Sequence, residues 1–260
     1  MQTRGFFIDI QGTLINDIDK EPINGACEFI SFLNESKVPY VAITNNTKED
    51  SKLFLEDLRK KGLDIKDYID PFFILEEVVK SKKVAAFGTA KFLEILEKMN
   101  YEIDFENPQT LIVSIKQDYN NEDYAKMIES AYKVKNLVAM HGTSTYSKEG
   151  KRYPGVGAIM SMINFAVNKE YEVVGKPSSN FYEKARELIN LDFKDITVIS
   201  DDMIGDLIGA QNLGMKSCLV LSGKTRTKEE VVNSLNKNET PKYIFKDMSE
   251  VLRSFKKGEI

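Results

Sequence analysis

Short runs of β-branched and aromatic residues alternate with segments of helical periodicity along nearly the whole chain. The apolar runs at both ends predict strands at 5–9, 39–44, 194–200, 216–221 and 241–245. The amphipathic segments between them predict helices at 25–36, 47–62, 181–189 and 205–214. Because strands that alternate with helices are usually parallel neighbours, the pattern predicts an α/β fold with a mostly parallel, Rossmann-like sheet.

The stretch between Thr44 and Lys176 is several times longer than one strand–helix–strand unit requires. It has its own alternation, with strands predicted at 83–87, 110–115 and 137–140 and helices at 90–99, 124–134 and 158–167. We therefore expect a second, inserted α/β domain at 80–173. The first domain is then formed by residues 1–79 and 174–260.

Composition and charge describe an ordinary globular chain. It has 260 residues, 42% hydrophobic and 29% charged, and a net charge of −4 without a basic block. That balance argues against binding to nucleic acid or to an anionic membrane surface. Two cysteines, no signal-like segment and no membrane-length apolar run favour the cytoplasm. Nothing in the sequence excludes a homo-oligomer.

Three polar residues stand where predicted strands end. Asp9 follows the first strand and leads into a glycine turn, Thr44 ends the second strand, and Asp201 follows the strand at 194–200. In a parallel sheet the carboxyl ends of the strands meet in one crevice. We therefore expect these three residues to share a site, although a single polar residue at a strand end usually only faces solvent.

The charges of this expected site indicate a metal and a phosphorylated ligand. Asp9, Asp201 and Asp206 would concentrate negative charge, and hard oxygen ligands without histidine or cysteine select Mg²⁺. Lys176 could add one positive charge, which would let the site accept a phosphate dianion. Small residues that could donate hydrogen bonds to phosphate oxygens are Gly12, Thr13, Thr44 and Asn45.

Four segments together carry a family resemblance. They are FIDIQGTL, AITNNT, VVGKPS and SDDMIGDLIGAQNLGM, in this order. They resemble the four motifs of the haloacid dehalogenase (HAD) superfamily, and the insertion after the second motif resembles subfamily IIA, the C2-capped group of NagD-like and p-nitrophenyl phosphatases. The segments GAQNLGM and LVLSGKTRTKEE are most similar to the branch that contains phospholysine phosphohistidine inorganic pyrophosphate phosphatase.

This resemblance implies a hydrolase of small phosphorylated molecules with a covalent intermediate. Asp9 matches the nucleophile that becomes an aspartyl-phosphate. Thr44, with Asn45, matches the group that hydrogen-bonds the transferring phosphoryl group. Lys176 matches the residue that steadies the nucleophile and the charge of the transition state.

The resemblance also implies the Mg²⁺ ligands. Asp201 matches one ligand and is joined by Asp9 and the main-chain carbonyl of Gln11. Asp206 matches the acidic position that holds water and the lysine in place, and Asp202 is assigned to the same supporting layer.

Gln11 departs from the family pattern. Phosphatases of this superfamily have the motif DxDGT, and the second aspartate is their general acid and base. Glutamine cannot transfer a proton near neutral pH, and loss of a positioned acid or base costs about 10²- to 10⁴-fold in rate. The sequence thus predicts a slow or leaving-group-selective phosphatase. A phosphate-binding or regulatory protein without turnover is the alternative, and a metal-free dehalogenase ranks last.

Two shorter motifs suggest a nucleotide site and a helix start. The segment SGKT at 222–225 resembles the end of a P-loop, but Cys218 stands where that motif requires glycine, so a nucleotide site is not predicted. Thr47 and Asp50 resemble a capping pair, which predicts that the helix at 47–62 begins beside Thr47.

Overall fold

The computed structural model describes residues 3–148, 151–232, 235–236 and 239–260. Its strands are β1 (Gly5–Asp9), β2 (Tyr40–Ile43), β3 (Tyr68–Ile69), β4 (Lys83–Phe87), β5 (Glu102–Ile103), β6 (Thr110–Val113), β7 (Asn136–Ala139), β8 (Thr145–Lys148), β9 (Lys151–Pro154), β10 (Tyr171–Val173), β11 (Ile196–Ser200), β12 (Lys216–Val220) and β13 (Tyr243–Phe245). Its α-helices are α1 (Ala26–Glu35), α2 (Ser51–Lys60), α3 (Phe72–Val78), α4 (Ala90–Lys98), α5 (Asn121–Lys133), α6 (Val156–Val167), α7 (Ser179–Ile189), α8 (Ile208–Asn212), α9 (Glu229–Val232) and α10 (Met248–Lys256).

The chain forms two compact units. The first unit comprises Met1–Thr44, Lys52–Ile69 and Tyr182–Ile260, and the second comprises Asn45–Ser51 and Asp70–Phe181. The predicted domain edges at 80 and 173 remain a prediction. The predicted edges and the edges of the compact units assign every described strand to the same domain, because no strand of the described chain lies in 70–79 or 174–181.

The first unit is built on a parallel sheet with the strand order β13-β12-β11-β1-β2-β3. β1 is central and wholly buried, which explains why the segment GFFID is a continuous apolar run before Asp9. Phe6 packs edge-on against Phe29 of α1 and Phe255 of α10, with ring centroids 5.5 and 5.0 Å apart. Both helices therefore cover one face of β1, and on the other face Phe7 stacks on Tyr182 of α7, with ring centroids 6.3 Å apart.

The second unit has its own parallel sheet, with the order β10-β7-β6-β4-β5. Its apolar core lies between this sheet and the helices α5 and α6, and includes Leu111, Val113, Met127 and Ile159. An antiparallel hairpin of β8 and β9 completes the unit. None of the described helices combines the length and the apolar character that crossing a bilayer requires.

The predicted α/β fold with parallel sheets is confirmed, one local expectation is wrong, and several short strands were not predicted. The helix predicted from residue 47 begins at Ser51, because the Thr47 hydroxyl accepts a hydrogen bond from Ser114 Oγ, at 2.8 Å, instead of capping a helix. The strands β3, β5, β8, β9 and β10 were not predicted. These strands have two to four residues each, and none contains an apolar run of strand length.

Candidate active site

The carboxyl ends of three neighbouring strands bring the acidic residues of the first unit together. β1 lies between β2 and β11 in the sheet. Asp9 is the last residue of β1, Thr44 follows β2, and Asp201 follows β11. All three are buried. The first unit therefore places these predicted residues at one edge of its sheet, as the strand-end rule expects.

The turn after β1 connects Asp9 to Asp201. Thr13 Oγ1 donates to Asp9 Oδ2 over 3.4 Å and accepts a hydrogen bond from the main-chain N–H of Asp201 at 3.1 Å. Gly12 has φ +79°, and a Cβ atom there would lie 2.2 Å from Asp201 Oδ2. Only glycine fits, because any side chain would occupy the space of the carboxylate.

Gln11 is held by Thr44. The Thr44 hydroxyl donates to Gln11 Oε1 at 2.6 Å. This contact fixes the orientation of the carboxamide, because its oxygen serves as the acceptor for threonine. The Nε2 end is then the part of Gln11 that can donate to a ligand. Gln11 can therefore donate a hydrogen bond at the site, but it cannot transfer a proton as a general acid does.

The buried acidic cluster favours a positive charge. Burial, and then the negative charge of Asp9, raise the pKa of Asp201 well above its usual range, and Asp202 and Asp206 act in the same direction. Burial also raises the pKa of Tyr182, whose hydroxyl donates to the main-chain oxygen of Asp206 at 3.0 Å. A cation between Asp9 and Asp201 would relieve this repulsion.

The supporting acidic residues have defined partners. Asp206 is buried and accepts a hydrogen bond from Ser200 Oγ at 2.7 Å. Asp202 accepts the main-chain N–H of Gly205 at 2.9 Å, at the start of a π-helical turn. It also pairs with Lys224 Nζ at 2.7 Å. Both carboxylates are therefore anchored by the protein itself.

Sequence reasoning missed the contribution of the loop at 222–225. Ser222 Oγ donates to the main-chain oxygen of Gly12 at 2.7 Å, and the N–H of Lys224 donates to Asp201 Oδ2. A Cβ on Gly223 would lie 2.1 Å from Asp201 Oδ2. This loop follows β12, the neighbour of β11, so the strand-end rule applied to β12 would have found it.

Asn45 and Lys176 lie together in the second unit. Asn45 Oδ1 accepts the main-chain N–H of Lys176 at 2.8 Å, and Asn45 Nδ2 donates to the Lys176 carbonyl at 3.4 Å. Lys176 is buried. The carboxamide of Asn45 is thus used to hold the main chain of Lys176, a role that the sequence did not predict.

The predicted metal ligands provide oxygen atoms alone. The set contains the carboxylates of Asp9 and Asp201 and the carbonyl of Gln11, which suits a hard divalent cation that keeps several waters or ligand oxygens. Within residues 3–148, 151–232, 235–236 and 239–260, no group of three or more His, Cys, Asp or Glu side chains could hold a metal. The predicted set has two such side chains, so it depends on main-chain, water and ligand oxygens.

Comparisons with known proteins identify the family of the chain. Residues 6–102 match the family described as haloacid dehalogenase-like hydrolase, and residues 173–251 match a HAD-hydrolase-like family. Together the two segments include more than half of the chain and all four motifs. The acid sugar phosphatase of Staphylococcus haemolyticus is 26% identical over 274 residues, covering 98% of this chain and 97% of its own.

Solved structures share the fold along the whole chain. The p-nitrophenyl phosphatase of Archaeoglobus fulgidus is 24% identical with a TM-score of 0.84, covering 98% of this chain and 100% of its own. NagD of E. coli is 21% identical with a TM-score of 0.77, covering 96% and 98%. The resemblance to the pyrophosphate phosphatase branch stays a prediction. The chain belongs to the haloacid dehalogenase-like hydrolases and has the fold of their NagD-like members.

Proposed function

We propose that this protein is a Mg²⁺-dependent phosphohydrolase of small phosphorylated molecules that works through an aspartyl-phosphate on Asp9. The observation that carries the proposal is the buried pair of Asp9 and Asp201, joined by the Thr13 hydroxyl at the ends of adjacent strands. Relatives named as acid sugar phosphatase and p-nitrophenyl phosphatase support the reaction class. Sugar phosphates and aryl phosphates are accordingly the first substrates to test.

The reaction divides into two displacements at phosphorus. A carboxylate oxygen of Asp9 attacks the phosphorus atom, the bond to the leaving group breaks, and the leaving group departs with the bonding electron pair. Water then attacks the phosphorus of the aspartyl-phosphate and releases inorganic phosphate. Phosphatases of this family generally use a divalent metal ion. Bound by Asp9, Asp201 and the Gln11 carbonyl, Mg²⁺ would offset the charge of carboxylates and phosphate.

The other predicted residues are assigned to binding and support. We assign Gly12, Thr13, Thr44 and Asn45 to hydrogen bonds with the phosphate oxygens. Their donors bind the protein itself in this structure, since the Gly12 N–H donates to the Ile15 carbonyl at 2.8 Å and Asn45 Nδ2 to that of Lys176 at 3.4 Å, so a bound phosphate would replace such contacts. Lys176 is assigned to charge compensation at Asp9 from the motif resemblance. Asp206 and Asp202 are assigned to support, which agrees with their contacts to Ser200 and Lys224.

A second candidate function follows from Gln11. Its amide oxygen accepts a hydrogen bond from Thr44, and its side chain carries no transferable proton. A protein with this site could bind a phosphorylated ligand without hydrolysing it. A time course of inorganic phosphate release separates the two candidates. A phosphohydrolase releases inorganic phosphate continuously, whereas a binding protein becomes saturated with ligand and releases no inorganic phosphate.

The metal requirement tests the proposal directly. We expect 4-nitrophenyl phosphate to be hydrolysed in the presence of Mg²⁺, and excess chelator to lower the rate by about 10²-fold, since uncompensated carboxylates would repel the phosphate. Phosphate release is measured with 4-nitrophenyl phosphate, pyrophosphate and a sugar phosphate as substrates. Recovery on adding back Mg²⁺ is the control, and an undiminished rate in chelator would contradict the proposal.

Removing the positive charge of Lys176 tests the third motif. Because Lys176→Met keeps the length of the side chain but not its charge, we expect turnover of 4-nitrophenyl phosphate to fall by about 10²-fold. Steady-state kinetics measure this, with circular dichroism to verify folding. Lys98→Met removes an exposed lysine of the second unit and should leave the rate unchanged. Normal kinetics of Lys176→Met would show that the motif is misassigned.

A further inference from the structure

Lys224 lies in the loop after β12 and brings a positive charge to the acidic residues of the first unit. Its ammonium group pairs with Asp202 Oδ2 at 2.7 Å. The two side chains are only 21% and 14% exposed, so the pair is largely shielded from solvent. An ion pair in such surroundings is screened less by water and salt than a pair on the surface. The proposed reaction gives Lys224 no role.

The loop that carries Lys224 is fixed against the site by its main chain. Ser222 Oγ donates to the Gly12 carbonyl at 2.7 Å, and the Lys224 N–H donates to Asp201 Oδ2. Gly223 lies between these two contacts, and a Cβ atom there would come within 2.1 Å of Asp201 Oδ2. The loop can approach the carboxylate this closely because residue 223 has no side chain. These contacts hold the main chain of Lys224 in place beside Asp201.

Asp202 is held through both of its carboxylate oxygens. Oδ2 pairs with Lys224, and Oδ1 accepts the main-chain N–H of Gly205 at 2.9 Å. Its own main-chain N–H donates to Ser200 Oγ at 3.1 Å, and Ser200 in turn donates to Asp206 Oδ2 at 2.7 Å. Asp202 is therefore a supporting residue, and Lys224 provides one of the two contacts that orient its carboxylate.

The charge of Asp202 acts on the proposed metal ligand beside it. Burial, then the charge of Asp9 and more weakly that of Asp202, raise the pKa of Asp201. A lysine that compensates Asp202 therefore makes the potential at Asp201 less negative. A divalent cation responds to this potential twice as strongly as a single charge does. Compensation of Asp202 should thus weaken the attraction of a cation to Asp9 and Asp201.

We propose that Lys224 is a positioning residue that limits the Mg²⁺ affinity of the site, because it holds and compensates Asp202. This inference rests on the proposed function, in which Mg²⁺ binds at Asp9 and Asp201. A phosphate dianion has to enter the same site, and every uncompensated carboxylate repels it. Lys224 thus keeps the negative charge of the site low enough for the cation and the phosphate to bind together.

The Mg²⁺ affinity of variants tests this role without any measurement of turnover. Isothermal titration calorimetry with MgCl₂ and the full chain, at fixed ionic strength, gives the dissociation constant. We expect Lys224→Met to bind Mg²⁺ at least about fivefold more tightly than the unchanged protein, because Asp202 is then uncompensated. Lys224→Arg keeps the positive charge, so its affinity should stay within about twofold of the original.

A second substitution separates the effect of charge from that of packing. Asp202→Asn leaves Lys224 without its carboxylate partner and should weaken Mg²⁺ binding by about fivefold or more. The double variant with Lys224→Met and Asp202→Asn removes the pair as a whole, so its affinity should return to within about twofold of the unchanged protein. A general loss of structure would instead weaken Mg²⁺ binding in all three variants.

The exposed pair of Lys194 and Asp192 provides a matched control in the same unit. These side chains lie 3.2 Å apart and are 61% and 66% exposed. Both residues precede β11, whereas Asp201 and Asp202 follow it. Lys194→Met should leave the Mg²⁺ affinity unchanged, because solvent and salt screen a charge at that distance. Circular dichroism verifies that each variant is folded.

The outcomes separate this inference from the proposed function. Mg²⁺ binding by the unchanged protein, with equal or weaker binding by Lys224→Met, would overturn the role of Lys224 and leave the proposed function intact. A double variant that does not recover the original affinity would also overturn it. Absence of Mg²⁺ binding by the unchanged protein would overturn the proposed metal and this inference together.

Discussion

Asp9→Asn is expected to reduce phosphate release from 4-nitrophenyl phosphate by at least about 10⁴-fold, because asparagine cannot form the acyl-phosphate bond. The substitution keeps the shape of the side chain and an oxygen that can accept from Thr13. The loss is therefore one of chemistry and not of folding. Steady-state release of 4-nitrophenolate in the presence of Mg²⁺ measures the effect.

A matched variant and a direct observation of the intermediate complete this test. Asp192→Asn changes an exposed aspartate of the first unit and should have normal activity. In the unchanged protein, mass spectrometry after rapid acid quenching should show one added PO₃ group, which Asp9→Asn should lack. Appreciable turnover by Asp9→Asn would exclude the aspartyl-phosphate route.

Gln11→Asp is expected to accelerate hydrolysis of alkyl monoesters by about 10²- to 10⁴-fold, because it restores a group that can protonate the leaving oxygen. Aryl phosphates should gain much less, since their leaving groups depart as stable anions. The measurement is kcat/KM for a sugar phosphate and for 4-nitrophenyl phosphate in both proteins.

Gln11→Asn is the control for this substitution. It shortens the side chain as aspartate does but retains the carboxamide, so alkyl esters should remain poor substrates. An equal gain from Gln11→Asn would mean that side-chain length limits the rate. Equal turnover of alkyl and aryl esters by the unchanged protein, unaffected by Gln11→Asp, would show that residue 11 is not the proton-transfer position.

The parallel sheets were predictable because their strands are buried on both faces. GFFID and the other central runs are apolar at almost every position, and this pattern differs clearly from the periodicity of the helices between them. Asp9 and Asp201 could also be placed from sequence, since both follow such runs. Their proximity follows from the sheet, because β1 and β11 are parallel neighbours and their carboxyl ends lie at the same edge.

Contacts between distant segments were not predictable. The pattern around Thr47 suits a helix cap, but the Ser114 hydroxyl, 67 residues away, is its hydrogen-bond partner. The SGKT segment resembles the end of a nucleotide motif, whereas in the fold Ser222 hydrogen-bonds to Gly12, and Lys224 contacts Asp201 and Asp202. Local propensity contains no information on which loops meet in space, so these assignments required the structure.

The two hydrogen bonds of Asn45 bear on how such a chain can change over evolution. They hold residues 45 and 176 side by side, although 130 residues separate them in the sequence. A segment whose ends already meet can be lengthened, exchanged or deleted with little cost of loop closure. The intervening segment can therefore diverge in sequence while the sheet of the first unit keeps its connections, and Asn45 helps to hold the two ends of the segment together.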